Sequence, residues 1–169
     1  MKKTIALILI CLTGTISDAY AKTPGEVEVG GFLRETQLQG LSGPSKKLSA
    51  YRGKPLIINV WASWCGPCRD EIGSLQRLAR SGGKQFNVIG ISTDDYRELA
   101  LTFLKESNTT FANYIDSKLF MENMLGAERI PLTLLVNAEG KVLYKFYGAH
   151  EWDSPEALEV IKKAFHIKM

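Results

Sequence analysis

Two cysteines separated by two residues, Cys65 and Cys68, follow closely on an apolar run. Residues 56–62 are rich in β-branched and aromatic side chains, a pattern typical of a strand buried on both faces of a sheet. Beyond the cysteines, residues 72–79 carry apolar side chains at helical spacing, and two glycines end the pattern. We therefore expect the cysteine pair to lie where a central strand turns into a helix.

Strand and helix patterns alternate along the rest of the chain. Strand character is found in residues 86–91, 111–115, 132–136 and 142–146, and helical character in residues 94–104, 117–125 and 154–165. In the second helix we expect Asp94 and Asp95 to cap the N-terminus, and Tyr96 and Leu99 to join the buried face. Residues 22–31 are expected to form a loose leader. This order predicts an α/β fold with a mixed central sheet flanked by helices.

Length and composition suit one globular domain with a sizeable core. The 169 residues are 45% apolar and 23% charged, with a formal net charge of +3, so a disordered chain is not indicated. The near balance of charges provides no phosphate-neutralising surface, and we expect no nucleic-acid partner. No apolar run approaches the ~20 residues that span a bilayer.

The first residues have the pattern of an export signal. Two lysines precede a short apolar stretch, which ends in a small-residue cleavage site at Ala21. We therefore predict a signal peptide over residues 1–21, cleaved after Ala21, and a single periplasmic domain over residues 22–169 without a stable membrane anchor. Cleavage removes Cys11, so the exported chain keeps only the pair described above. In an oxidising compartment such a pair can serve as a redox couple.

The residues between and beside the two cysteines suit thiol chemistry. A helix N-terminus exposes unpaired N–H groups and about half a positive charge, which stabilise a thiolate on Cys65 and lower its pKa from ~8.5. Gly66 leaves room for a partner backbone, and Pro67 supplies a helical φ without losing a donor. Trp64 offers an apolar surface to partners. Cys68, one turn along, can resolve a mixed disulfide.

The segment from residue 59 to residue 71 resembles the active-site segment of the exported thioredoxin-like thiol:disulfide oxidoreductases of the TlpA/ResA type. Ile130-Pro131 is similar to the cis-proline segment of that family, and Trp152 fits its closing hairpin and last helix. The resemblance implies a thioredoxin fold with an N-terminal β-hairpin, placed in residues 32–50, and a central insertion, placed in residues 94–126.

Carried over to this sequence, the resemblance assigns roles to individual residues. It implies that Cys65 is the nucleophile and that Cys68 resolves the mixed disulfide. It implies that Glu71 is an acidic residue of the active site, which tunes the thiols or accepts the Cys68 proton. An exposed first-turn carboxylate is an equal interpretation of Glu71. Pro131 would lie beside the cysteines in the cis form, and Ile130 would offer its backbone to a substrate strand.

The family resemblance further implies thiol–disulfide exchange, usually in a reducing pathway. Protein thiols and disulfides would be the substrates, apocytochromes c or copper-site proteins the clients, and a membrane protein of the DsbD type the electron donor; no cofactor is implied. An oxidant of the DsbA kind is one alternative, although the Gly-Pro pair between the cysteines favours a low potential. A Cys-x-x-Cys module for Cu(I) is another, since His150 and His166 form no pair with useful spacing for zinc.

Overall fold

A mixed sheet of seven strands runs through the protein. The computed structural model describes residues 23–168, so the predicted signal peptide over residues 1–21 lies outside the described residues. The strands are β1 (Gln37–Gly40), β2 (Lys46–Lys47), β3 (Leu56–Trp61), β4 (Asn87–Ser92), β5 (Ala112–Ile115), β6 (Leu132–Val136) and β7 (Val142–Tyr147). The helices are α1 (Gly66–Gly82), α2 (Arg97–Glu106), α3 (Phe120–Leu125) and α4 (Pro155–Phe165). Within residues 23–168 no helix combines the length and the apolar character needed to cross a bilayer.

The apolar run that precedes the cysteines forms the central strand of the sheet. Every residue of β3 is buried, and β3 pairs parallel with β4 on one side and antiparallel with β6 on the other. The strand order is β2-β1-β5-β4-β3-β6-β7. The predicted mixed sheet is therefore confirmed, and β3 leads directly into the loop that begins α1.

Both additions that the family resemblance implies are part of this sheet. β1 and β2 form the antiparallel hairpin expected in residues 32–50, and β1 extends the sheet by pairing antiparallel with β5. Residues 94–126 contain α2, β5 and α3, and β5 pairs parallel with β4. The expected α/β fold with an N-terminal hairpin and a central insertion is therefore confirmed.

Helices cover both faces of the sheet and divide the apolar core into two clusters. Residues of α1, α2 and α4 pack on one face, around side chains such as Ile57 of β3. Residues of α3, including Met124, pack on the other face with Ile58. Successive side chains of a strand point to opposite faces, so the unbroken apolar sequence of β3 supplies both clusters.

Gly90 of β4 leaves space for the hydrogen bond between Trp61 and Asn113, and Trp61 is the largest fully buried side chain of the described residues. Trp61 is a core residue, as expected, and its Nε1 donates to Asn113 Oδ1 at 3.0 Å. A Cβ at residue 90 would lie 1.9 Å from Asn113 Oδ1 and 2.7 Å from Trp61 Nε1. Any larger residue here would displace the acceptor that satisfies the buried indole N–H.

The expectation of a loose leader is wrong for residues 23–31. Val27 is buried in the second core cluster, and its N–H donates to Met124 O at 2.9 Å. Glu26 forms an ion pair with Lys145 of β7, and the two side chains are only 12% and 8% exposed. This turn-rich segment is therefore held in place by contacts to distant parts of the chain.

The first and last described segments lie at opposite ends of the sheet. Thr23 Oγ1 donates to Glu128 Oε1 at 2.7 Å, in the loop that leads into β6. Because β6 is antiparallel to β3, that loop lies at the same end of the sheet as the start of α1. At the other end, Phe165 of α4 packs on Phe86, just before β4, with ring centroids 5.7 Å apart.

α2 begins later than the sequence predicts, and its buried face is narrower. Its N-cap is Tyr96, so Asp94 and Asp95 do not cap it. Tyr96 and Leu99 are 67% and 51% exposed. The buried face consists of Ala100, Phe103 and Leu104, which belong to the first core cluster. Asp94 is buried and bonds instead to Ser63, in the loop before the first cysteine.

Replacing Glu26 by Gln leaves the Lys145 ammonium buried without its anion. Removing one partner of a buried ion pair is strongly destabilising, and we expect the free energy of unfolding to fall by about 3 kcal/mol. Urea denaturation followed by tryptophan fluorescence measures this change. Glu159→Gln removes an exposed pair with Lys162 and should cost less than about 1 kcal/mol. A loss for Glu26→Gln as small as that of this control would contradict the prediction.

Candidate active site

The loop between β3 and α1 holds the cysteine pair at the N-terminus of the helix. Cys65 is the N-cap of α1, and its Sγ accepts a hydrogen bond from Cys68 N at 3.2 Å. A turn closed by Cys65 N and Ala62 O at 3.1 Å leads from the strand into the helix. The two cysteines form a disulfide, with their Cα atoms 5.3 Å apart. The pair lies where a central strand turns into a helix, as the sequence predicts.

Both cysteines are buried below an exposed rim. Cys65 is 5% exposed and Cys68 is 1% exposed, whereas the adjoining Trp64 is 71% exposed. Gly66 and Pro67, which lie between the cysteines, are also exposed. A partner that reaches the disulfide along this side therefore meets an indole ring, a residue without a side chain and an apolar pyrrolidine ring.

The Ile130–Pro131 segment lies at the same end of the sheet as the disulfide. Its peptide bond is cis. The register of β6 against β3 pairs Leu132 with Val60, so Pro131 lies beside the end of β3. Ile130 is half-buried and packs against the core cluster that contains both cysteines. The structure thus brings together the two distant motifs that the family resemblance singles out.

Glu71, three residues beyond Cys68 on α1, accepts three hydrogen bonds in the interior. Its Oε1 accepts from Asn59 Nδ2 at 2.7 Å, and its Oε2 accepts from Trp152 Nε1 at 3.0 Å and His150 N at 3.1 Å. The carboxyl thereby connects α1 to β3 and to the segment after β7. Glu71 is 2% exposed, so its interpretation as an exposed first-turn carboxylate is wrong.

Burial raises the pKa of Glu71 above its ordinary value of 4.5, and the hydrogen bonds from its three partners only partly offset that effect. The Oδ1 atom of Asn59 is buried without a hydrogen-bond partner among the described residues, which costs folding free energy. Its Nδ2 donates a second hydrogen bond, to Thr133 Oγ1 at 2.9 Å. An amide cannot give up a proton as a carboxyl can, so Glu71 and not Asn59 is the residue that can exchange a proton.

Local sequence patterns do not identify three residues that support the site. Thr133 lies opposite Asn59 in the pairing of β6 with β3. Trp152 is 81 positions from the carboxyl that it contacts, and the family resemblance is the only signal that points to it. Asp94 is 31 positions from Ser63, the residue to which it bonds. Only the folded chain brings these partners together.

The candidate metal ligands of the described residues are the two thiols of the cysteine pair. Within residues 23–168, no group of three or more histidine, cysteine or acidic side chains is arranged to hold a metal ion. The ring of His150 packs against Phe146 and Trp152, and its backbone N–H is used by Glu71. A Cu(I) site would therefore have to rest on the thiolates of the cysteine pair alone.

A disulfide at the N-terminus of the helix after a central strand, beside a cis-proline at the same end of a mixed sheet, defines a dithiol site of the thioredoxin-fold class. Residues 28–161 match the model of the Redoxin family. The chain therefore belongs to the Redoxin family, and its resemblance to the thioredoxin-like thiol:disulfide oxidoreductases of the TlpA/ResA type is confirmed.

Three curated relatives have names that refer to thiol–disulfide chemistry. The chain is 34% identical over 125 residues to the thiol:disulfide interchange protein DsbE of Vibrio cholerae, which covers 72% of this chain and 66% of that protein. It is 39% identical over 106 residues to the thiol:disulfide interchange protein CycY of Rhizobium leguminosarum, with coverages of 62% and 56%. It is 28% identical over 165 residues to the thiol-disulfide oxidoreductase ResA of Geobacillus thermodenitrificans, with coverages of 96% and 95%. The chain thus spans less than two thirds of the DsbE and CycY proteins.

Solved structures show the same fold. A crystal structure from Chlorobium tepidum, described as a thiol:disulfide interchange protein DsbE, superposes with a TM-score of 0.76 at 26% identity and covers 82% of this chain and 99% of that one. StoA from Bacillus subtilis superposes with a TM-score of 0.66 at 19% identity, with coverages of 77% and 97%. The second likeness concerns the fold alone.

Glu71→Gln removes the titration of the buried carboxyl and keeps its shape. Because the folded-state pKa of Glu71 is raised, the group adds stability at acidic pH and this contribution is lost as the pH rises through the folded-state pKa. We therefore expect the unfolding free energy of wild type minus that of Glu71→Gln to fall as the pH is raised from 4.5 towards neutrality. Urea denaturation across this range measures the difference.

Asp70→Asn is the matched control for this experiment, because Asp70 is an exposed carboxylate on the same helix. Its unfolding free energy should keep the pH dependence of wild type. Parallel pH curves for wild type and Glu71→Gln would contradict the raised pKa of Glu71.

Proposed function

We propose that the protein is a thiol:disulfide oxidoreductase that acts by exchange through Cys65 and Cys68. The observation that supports this most is the position of the pair, since Cys65 caps α1 and its sulfur accepts the Cys68 N–H at 3.2 Å. Unpaired N–H groups and the helix dipole stabilise a thiolate at this position. The thiolate is the attacking species in thiol–disulfide exchange.

The reaction consists of two displacements at sulfur. In the reduced protein the Cys65 thiolate attacks a substrate disulfide, forms a mixed disulfide and releases one substrate sulfur as a thiolate. Cys68 then loses its proton, attacks the Cys65 sulfur and releases the second substrate sulfur. Two electrons pass to the substrate, and the protein is left as the Cys65–Cys68 disulfide present in the structure. A dithiol donor has to return it to the reduced form.

Glu71 is our candidate for the group that receives the Cys68 proton. Residues three apart on a helix are neighbours, so both side chains lie on one buried face of α1. Burial raises the pKa of Glu71 above its ordinary value of 4.5, which favours uptake of a proton by this carboxylate. Its hydrogen bonds to β3 and to the segment after β7 hold the carboxyl in a fixed place.

The substrate polypeptide is proposed to bind across the surface around the buried cysteines. Trp64, Gly66 and Pro67 are exposed on one side of this surface. Ile130 and the cis Pro131 lie at the same end of the sheet. An extended substrate segment that pairs with the backbone of Ile130 would bring its disulfide to Cys65, because main-chain pairing is a general mode of peptide recognition.

We propose that the protein is a reductant of exported proteins in the periplasm. The export pattern in residues 1–21 supports this location, and we propose cleavage after Ala21, which leaves residues 22–169 as the exported domain. The Gly-Pro pair supports a low potential. The family resemblance supports apocytochromes c or copper-site proteins as clients and a membrane protein of the DsbD type as the electron donor.

Cys68→Ala should trap the substrate. Without the resolving thiol, the mixed disulfide on Cys65 has no intramolecular route to release, so a covalent adduct should accumulate when the reduced variant meets a disulfide-bonded protein. Non-reducing electrophoresis and mass spectrometry of the Cys65 peptide measure it. Cys65→Ala is the control and should form no such adduct. If Cys68→Ala forms none either, exchange chemistry is ruled out.

The direction of electron flow is tested by equilibrium with glutathione. Thioredoxin has a potential of about −270 mV, and a couple in that range is mostly disulfide at a mildly oxidising glutathione poise of about −200 mV. We expect Cys65–Cys68 to behave in this way, as measured by quenching the mixture and alkylating the free thiols. A pair that stays mostly reduced at that poise would favour an oxidant of the DsbA kind.

A further inference from the structure

Ser63 lies two residues before the first cysteine, and both its backbone N–H and its backbone carbonyl are hydrogen-bonded to charged side chains. Its N–H donates to both oxygens of Asp94, at 3.0 and 3.2 Å, and its Oγ donates to Asp94 Oδ1 at 2.6 Å. Its carbonyl oxygen accepts from Arg69 Nη1 at 3.3 Å. Asp94 therefore connects the cysteine loop to the end of β4, and Arg69 connects it to α1.

Asp94 is a buried carboxylate whose bonding partners in residues 23–168 are all neutral donors. It is 1% exposed, and Ser92 Oγ donates to its Oδ2 at 2.8 Å. Its own N–H donates back to Ser92 Oγ at 3.2 Å. None of the ion pairs in the described part of the chain includes it. Its negative charge thus acts on the surroundings without a bonded counter-ion.

This charge bonds to the loop that carries the reacting sulfur. The carboxylate contacts Ser63 directly, and the Cα atoms of Ser63 and Cys65, two residues apart, are separated by at most about 7 Å. Arg69 also contacts this loop, through Ser63 O, and is paired with Glu106 at 3.3 Å. Glu71 is buried on α1, three residues beyond Cys68. An anion in an interior of low dielectric opposes the formation of another anion nearby.

We propose that Asp94 is a positioning residue for Cys65, and that its charge limits the fraction of Cys65 present as thiolate and keeps the couple reducing. The inference rests on the proposed function. The carboxylate holds the loop in the geometry in which the sulfur meets the helix N-terminus. The same charge disfavours the reduced, thiolate-bearing form relative to the disulfide, which lowers the potential of the pair.

Asp94→Asn separates the two effects, because the amide keeps the shape of the side chain and an acceptor for Ser63 but removes the charge. We expect the midpoint of Cys65 alkylation against pH to fall by about one unit, a tenfold change in thiolate formation. The glutathione equilibrium should move towards the dithiol by up to about tenfold, which corresponds to about 30 mV. Mass spectrometry of the alkylated Cys65 peptide and of the quenched redox mixtures provides both readouts.

Asp116→Asn is the matched control. Asp116 is also a buried carboxylate that follows a strand of the parallel set, but it accepts the backbone N–H groups of Phe120 and Glu122 instead. Its variant should lose stability and leave both Cys65 readouts at the wild-type values. Asp94→Ser, a smaller neutral residue, repeats the charge removal and should shift both readouts in the same direction as Asp94→Asn.

The outcomes separate this inference from the proposed function. If wild type itself performs no exchange with a disulfide substrate, the proposed function fails and the role of Asp94 fails with it. If wild type performs exchange but both neutral variants keep its alkylation midpoint and glutathione equilibrium, Asp94 is only structural and the inference is overturned. Loss of folding in both neutral variants would overturn it in the same way.

Discussion

The pairing of β3 with β4 on one side and β6 on the other brings the cysteine loop, Asp94 and the cis-proline to one end of the sheet. Parallel pairing brings the ends of β3 and β4 together, so the cysteine loop lies against Asp94. Antiparallel pairing brings the start of β6, with its cis-proline, to that same end. Three segments remote in sequence therefore meet at one end of the sheet, and none of them needs a long loop to do so.

The disulfide lies at a helix N-terminus, which favours negative charge, and two buried carboxyls bond to the segments around it. The helix end supplies oriented N–H groups to Cys65, whereas Asp94 bonds to the loop before Cys65 and Glu71 lies on α1 beyond Cys68. Burying an acid is costly unless hydrogen bonds compensate it, and each carboxyl has several donors. The helix N-terminus and the buried carboxyls are therefore two separate groups whose substitution can change the properties of the site.

Much of the fold could be predicted because it follows from local sequence patterns. An unbroken apolar strand, a helix start at a cysteine and a proline, and alternating hydrophobic strands are all properties of short windows. The partners of Asp94 could not be predicted, because an acid after a strand can cap the next helix or bond across the sheet. The burial of Glu71 and Glu26 likewise depends on Trp152 and Lys145, which lie 81 and 119 positions away.

The first and last described segments lie at opposite ends of the sheet, which has a practical consequence for immobilising or labelling the protein. Thr23 bonds to the loop of the cis-proline, so a bulky group attached at this residue would lie at the cysteine end of the sheet. The end of α4 packs near the start of β4, on the remote side of the sheet. A surface tether or fluorophore attached at the end of α4 would leave the cysteine side facing solution.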